Sequence, residues 1–214
     1  MINYSLYIFI RLNNYIYLLY FSLKRVVSDL NQKANTVKIM LKEKELEEIK
    51  KECECCQKCE LGKTRNKIVF SDGNPNAKIL LIGEAPGADE DASGVPFVGR
   101  AGKFLTKIME ECGFNRKEDF YICNTVKCRP PENRVPTDDE KKCCEDYLLR
   151  QIKSVNPKMV VLCGATSAKT FLGNKIKISQ IRGKMYKILD NIDAMVLPMQ
   201  QMRGGMADMF LSEE

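Results

Sequence analysis

An α/β fold, with a parallel or mixed sheet covered by helices on both faces, is predicted for this chain by two observations. Three short continuous apolar runs, AKILLIG (77–83), DFYICN (119–124) and KMVVLCG (158–164), each close on Gly or Asn, as buried parallel strands do. The segments between them repeat apolar residues at helical spacing, and strands alternating with helices put ligand loops at the carboxyl ends of the strands.

Taken in order, the run KIMLKEKELEEIKKECECC (38–56) reads as a charged surface helix that stops where the cysteines begin. The first strand opens into a polar loop, GEAPGADEDASGVPFVG (83–99). RAGKFLTKIMEECG (100–113) has the helical period and a terminal Gly, and the second strand, 119–124, follows it. After the loop CRPPENRVP (128–136), Thr137 and Glu140 form a capping box that starts a helix reaching about Lys153. The third strand leads into a helix over ATSAKTFLG (165–173), and MYKIL (185–189) and AMVLP (194–198) make two final strands around a turn at Asp190 to Asp193.

A length of 214 residues with 44% hydrophobic content suits one domain with a real core, assigned to residues 40–214. Residues 1–36 are read as a leader of no assigned function, and Met40 is a candidate start. The first 23 residues are apolar and aromatic, but Arg11, Asn13 and Asn14 lie mid-stretch. An Arg at a membrane centre costs about 2.5 to 3.5 kcal/mol, so no membrane anchor is expected. A net charge of +6 permits a polyanionic partner without requiring one. The chain contains no histidine, which removes the usual neutral-pH acid/base and metal ligand.

Ten cysteines without a cleavable signal point to reduced cytosolic thiols, some of them holding metal. Cys56 and Cys59 form a C-x-x-C in a loop, Cys128 sits in a rigid Lys-Cys-Arg-Pro-Pro segment, and Cys144 lies in the next helix. If these converge they make a four-thiolate site, and spacing alone leaves zinc and an iron–sulfur cluster both open. Cys112, Cys123 and Cys163 fall in apolar runs and read as free or buried thiols. Cys53, Cys55 and Cys143 stand close enough to the proposed ligands that their roles stay open.

The segments CQKCELGKTRNKIVFSDGNPNAKILLIGEAPGADEDASGVPFVGRAG, YICNTVKCRPPENRVPTDDE, CEDYLLRQI, VVLCG and RGK, in that order over roughly residues 53 to 190, resemble the family 4 uracil-DNA glycosylases. The resemblance implies a three-layer α/β/α sandwich with a central four-stranded parallel sheet. It also implies a [4Fe–4S] cluster, with Cys56, Cys59, Cys128 and Cys144 as ligands by motif position. The implied activity is hydrolysis of the N-glycosidic bond of uracil in single- or double-stranded DNA, by a cytoplasmic, nucleoid-associated monomer.

On the same resemblance, Phe97 stacks on a uracil flipped out of the helix, where aromatic stacking supplies about 1 to 3 kcal/mol per base. Without it, Phe97 reads as a core aromatic. The Asn124 amide offers one donor and one acceptor, matching O4 and N3–H of uracil and mismatching cytosine. Glu84 and the backbone of Ala85, Pro86 and Gly87 are expected beneath the sugar and uracil O2, and Glu90 near uracil C5, where it helps exclude thymine. A plain Gly-Pro turn with a solvated Glu is the ordinary reading of the same loop. Lys127, Arg129, Arg134, Arg182 and Lys184 are candidate phosphate contacts, or scattered surface charge.

One departure stands out. Family members follow the last strand with a His-Pro motif and a Leu-rich turn, whereas here AMVLP is followed by MQQMRGGMADMFLSEE. In register, Gln201 takes the histidine position, and losing one donor to a developing anion costs about 2.7 to 4 kcal/mol. A shifted reading frame or truncated gene end is the expected origin of this tail.

Overall fold

The computed structural model describes residues 4–189 and 191–198. The chain divides into two compact units, Met1–Glu43 and Lys44–Glu214. The described part of the first unit is entirely helical, the opening stretch of α1 (Tyr4–Glu54). The charged helix expected from position 38 therefore begins much earlier. Among the described residues, no helix is long and apolar enough to cross a membrane.

In the second unit α1 ends beside the first cysteines, followed by the short α2 (Leu61–Thr64) and an edge strand, β1 (Asp72–Gly73). The three expected strands appear as β2 (Ile79–Gly83), β3 (Phe120–Asn124) and β4 (Met159–Cys163). Between β2 and β3 lie α3 (Ala88–Ser93), α4 (Arg100–Glu111) and α5 (Arg116–Asp119). Helix α6 (Asp138–Val155) starts at the expected capping box, where Glu140 N–H donates to Thr137 Oγ1 at 3.2 Å and Thr137 N–H to Glu140 Oε2 at 2.8 Å. The chain finishes with α7 (Ala165–Leu172), α8 (Ile178–Ile181) and the hairpin β5 (Met185–Ile188) and β6 (Ile192–Leu197).

Strand order is β1-β3-β2-β4-β6-β5. The four central strands β3, β2, β4 and β6 pair in parallel, as the resemblance implies, and the short edge strands β1 and β5 pair antiparallel. Side-chain alternation divides the core cleanly. Leu80, Ile82, Tyr121, Cys123, Val160, Leu162, Ala194 and Val196 face one layer, with Ile49 of α1, Leu148 and Ile152 of α6 and Ala168 of α7. Leu81, Phe120, Ile122 and Cys163 face the other, against Leu105 and Met109 of α4. A sheet buried on both faces explains why the strands are continuous apolar runs rather than alternating ones.

Candidate active site and cysteine centre

A cavity of about 550 Å³ opens at the carboxyl ends of the parallel strands. Its lining comes from the loop after β2, from Asn124 at the end of β3, from Gly164 and Ala165 after β4, and from Pro198 after β6. Glu84, Ala85, Pro86, Gly87, Glu90, Phe97 and Asn124, all singled out by sequence, line this one cavity. Gln201 lies outside the described residues.

Glycine permits the central juxtaposition. A Cβ at Gly83 would stand 2.3 Å from Asn124 Oδ1 and 2.5 Å from Phe97 Cζ. The amide and the ring therefore meet over a bare backbone. Phe97 itself has φ 53°, in the left-handed region that a phenylalanine seldom occupies, so its surroundings must hold it there. They do so from both sides. Glu90 accepts from the N–H groups of Val98 at 2.9 Å and Gly99 at 2.8 Å, and Arg116 Nη2 donates to Pro96 O at 2.7 Å. Behind the ring, a Cβ at Gly102 would fall 2.1 Å from the Phe97 carbonyl, so α4 packs directly on the Phe97 backbone.

The other Glu90 oxygen accepts from Gly87 N–H at 3.0 Å, which starts α3. Both carboxylate oxygens are thus engaged by backbone, and Glu90 braces the loop whose inner surface faces the cavity. Of the three residues expected to present N–H groups, Pro86 has none and Gly87 directs its own at Glu90, which leaves that of Ala85. Asn124 is buried, with 2% exposure, and among the described residues its side-chain amide makes no hydrogen bond to protein. Glu84 Oε2 accepts from Thr166 Oγ1 on the first turn of α7. Thr166 escaped sequence reading, although its place just beyond the carboxyl end of β4 was the available signal.

The second centre lies where the end of α1, the loops carrying Cys56, Cys59 and Cys128, and α6 meet. Cys56, Cys59, Cys128 and Cys144, drawn from three distant stretches of chain, line one small cavity together with Cys53 and Cys143. Cys55 is exposed and does not line it. Cys123 and Cys163 are buried, and Cys112 is exposed at the end of α4. Burial pushes the Cys144 thiol up to about 11 and raises those of Cys128 and Cys59, and neighbouring thiols add to the effect. Cations surround them. Arg65 Nη1 donates to Cys128 Sγ at 3.3 Å and to Cys56 O at 2.9 Å, while Lys58 Nζ sits 4.5 Å from the centroid of the Tyr147 ring. Among the described residues no group of three His, Cys, Asp or Glu side chains is arranged to hold a single ion. An iron–sulfur cluster asks for something else, one thiolate per iron around a larger body, and four converging thiols in a cationic shell fit that chemistry.

The phosphate-contact candidates separate. Arg182 and Lys184 are exposed, Arg129 donates to Asn133 Oδ1 at 2.8 Å, and Arg134 makes a bidentate pair with Glu140 at 2.8 and 2.6 Å. Lys127 is a correction. It is completely buried and donates to Asn124 O at 2.7 Å, so it does not reach solvent to meet a phosphate.

Residues 70–209 match the family model described as the uracil DNA glycosylase superfamily. The type-4 uracil-DNA glycosylase of Thermotoga maritima is 47% identical over 129 residues, which is 60% of this chain and 67% of the relative. That of Archaeoglobus fulgidus is 45% identical over 148 residues, 67% of this chain and 73% of the relative. The chain belongs to the type-4 uracil-DNA glycosylases. A DNA polymerase of Bacillus phage SP01 is also 36% identical over 122 residues, covering 57% of this chain but 13% of the polymerase. For this type-4 chain the family match spans the whole cavity lining from Gly83 to Pro198, together with Cys128 and Cys144, while Cys56 and Cys59 precede it.

Proposed function

We propose that this protein hydrolyses the N-glycosidic bond of uracil in DNA, releasing uracil and leaving an abasic site, as a monomer acting at the nucleoid in the cytoplasm. The observation that carries this reading is the meeting of Phe97 and Asn124 across Gly83 at the floor of the cavity. A flipped base entering there stacks on the Phe97 ring and meets an amide with no other partner among the described residues. Held one way round, that amide accepts from N3–H and donates to O4, and cytosine would leave both buried groups mismatched.

Bond cleavage develops positive charge on the sugar and negative charge on the base. In this reading Glu84, oriented by Thr166, steadies the sugar cation or directs the attacking water, and the Ala85 N–H is the loop donor for uracil O2. Glu90 excludes thymine through the loop it braces. By sequence register Gln201 replaces the family histidine, and its side-chain N–H₂ is the donor offered to the departing uracil anion. Cys56, Cys59, Cys128 and Cys144 would hold a [4Fe–4S] cluster, which when bound would tie the α1 end, the Cys128 loop and α6 together.

Incubation with a single-stranded uracil oligonucleotide at neutral pH should release free uracil, and the Phe97→Ala, Asn124→Ala double variant should release none. Equal release by both proteins would sink the assignment of these residues. A second reading rests on the absence of histidine from the chain: a pocket that binds uracil-DNA without efficient turnover. It predicts retention of a uracil oligonucleotide over its cytosine counterpart with no product.

A further inference from the structure

Lys127 takes no part in the chemistry above, yet it is the largest fully buried side chain in the molecule's described residues. It lines the cysteine cavity, and its ammonium reaches back to the Asn124 carbonyl at 2.7 Å. Burying an ammonium without an anionic partner is strongly unfavourable. No carboxylate serves Lys127, since none of the ion pairs among the described residues includes it. The groups that face it are sulfurs. Cys53, Cys56, Cys59, Cys128, Cys143 and Cys144 line the same small cavity as Lys127. The anion that balances Lys127 therefore belongs on the cysteine side, and a cluster held by four thiolates carries net negative charge.

Its neighbours in sequence complete the link. Thr125 donates to Gly83 O through both N–H and Oγ1 at 2.9 Å, and Val126 N–H donates to Glu84 O at 3.2 Å. Cys128 follows at once. Five consecutive residues thus join the amide of the pocket, the backbone of the Glu84 loop and a thiolate of the cysteine centre.

We propose that Lys127 is a positioning residue whose buried ammonium balances the anionic cluster on one side and fixes the Asn124 backbone on the other, so that cluster loading sets the amide that selects uracil. This rests on the roles given above to Asn124 and to the four thiolates. The two faces of Lys127 are separable: its charge acts on the cluster, and its hydrogen bond acts on the pocket.

The test uses cluster-loaded full-length protein and two variants, Lys127→Met, which keeps the length without donor or charge, and Lys127→Gln, which keeps a donor without the charge. Cluster content is read from visible absorbance and from iron and sulfide analysis. The midpoint potential is read by titration with dithionite in the absence of DNA, and kcat and KM are measured on uracil and cytosine oligonucleotides. Both variants should show a more negative potential than the parent, because adding an electron beside a lost cation is harder. Lys127→Met should also raise KM for the uracil oligonucleotide about tenfold, the effect of one lost buried hydrogen bond, and narrow the preference over cytosine. Lys127→Gln should lose less. A loaded Lys127→Met with the parental potential and parental KM overturns the proposal. Should that variant fail to fold, an unshifted potential in Lys127→Gln overturns it equally. A parent protein without any preference for uracil would sink the role of Asn124 instead, and the potential would still decide whether Lys127 balances the cluster.

Discussion

The two cavities of this molecule are built on opposite plans. At the base cavity, loops from four strand ends converge on an open space of about 550 Å³, where side chains are held through backbone: Glu90 by three N–H groups, Phe97 between braced neighbours. At the cysteine centre there is little room, and thiols from three stretches of chain are gathered against Arg65, Lys58 and Lys127. One site keeps polar groups unengaged for a visitor. The other concentrates sulfur and positive charge, as the cluster proposed for it would require. Recognition needs space with fixed walls, whereas a cofactor that ties chain segments together needs ligands from far apart in sequence.

Breaking the cysteine side should have the largest effect. Replacing Cys128 or Cys144 by Ser removes one of four ties and should destabilise the protein by more than about 4 kcal/mol, the range reached when a structural metal is lost; thermal unfolding alongside iron content would check it. Gly83→Ala strikes only the visitor's side. Its new Cβ overlaps Asn124 and Phe97, and kcat/KM on a uracil oligonucleotide should fall about 10²-fold with the cluster absorbance unchanged. If cluster content falls as well, the link through residues 124–128 carries strain from the pocket to the cysteine centre.

Smaller effects sharpen the contrast. Glu90→Gln puts an amide where three backbone N–H groups point, and should cost about 1 to 3 kcal/mol of loop stability, seen as faster hydrogen exchange over 87–99. Thr166→Val frees the Glu84 carboxylate from its only hydrogen bond to a side chain among the described residues and should lower kcat about tenfold, with KM little changed. Weakest is the Arg134–Glu140 pair at the start of α6. The hydrogen bond from Arg134, aided by Thr137 and opposed by burial, holds the Glu140 carboxyl below the usual carboxylate range. Its contribution is therefore present above pH ~4.3, the ordinary glutamate value, and is lost as pH falls through the lower folded value. Arg134→Ala should flatten the acid side of the stability curve only slightly, because the guanidinium is 43% exposed and screened by solvent.

Local pattern alone was enough for much of this. Continuous apolar runs closed by Gly or Asn marked β2, β3 and β4 almost to the residue, and the Thr137–Glu140 box marked the start of α6, because burial on both faces and capping leave signatures within a few positions. The seven cavity residues and four cysteines were named from motifs whose members lie in sequence order. The short helix α3 falls in a segment whose sequence reads as loop, since its start depends on a carboxylate that caps Gly87 while gripping residues eight and nine positions further on. Thr166 went unnoticed for the same reason: its partner Glu84 lies 82 residues away.

Lys127 marks the boundary most clearly. As a letter in TVKCRPP it is one more cation, and composition places lysines at the surface. Only the folded chain turns it inward, between a carbonyl of the pocket and the sulfurs of the cysteine centre. What the amino-acid sequence determined by itself was everything with a local period or a contiguous motif: strands, caps, the loop carrying Phe97, the spacing of thiols. The tertiary structure alone decided which groups face one another across the sheet's carboxyl edge and where each charge is buried, because those depend on contacts between segments that no short stretch of sequence encodes.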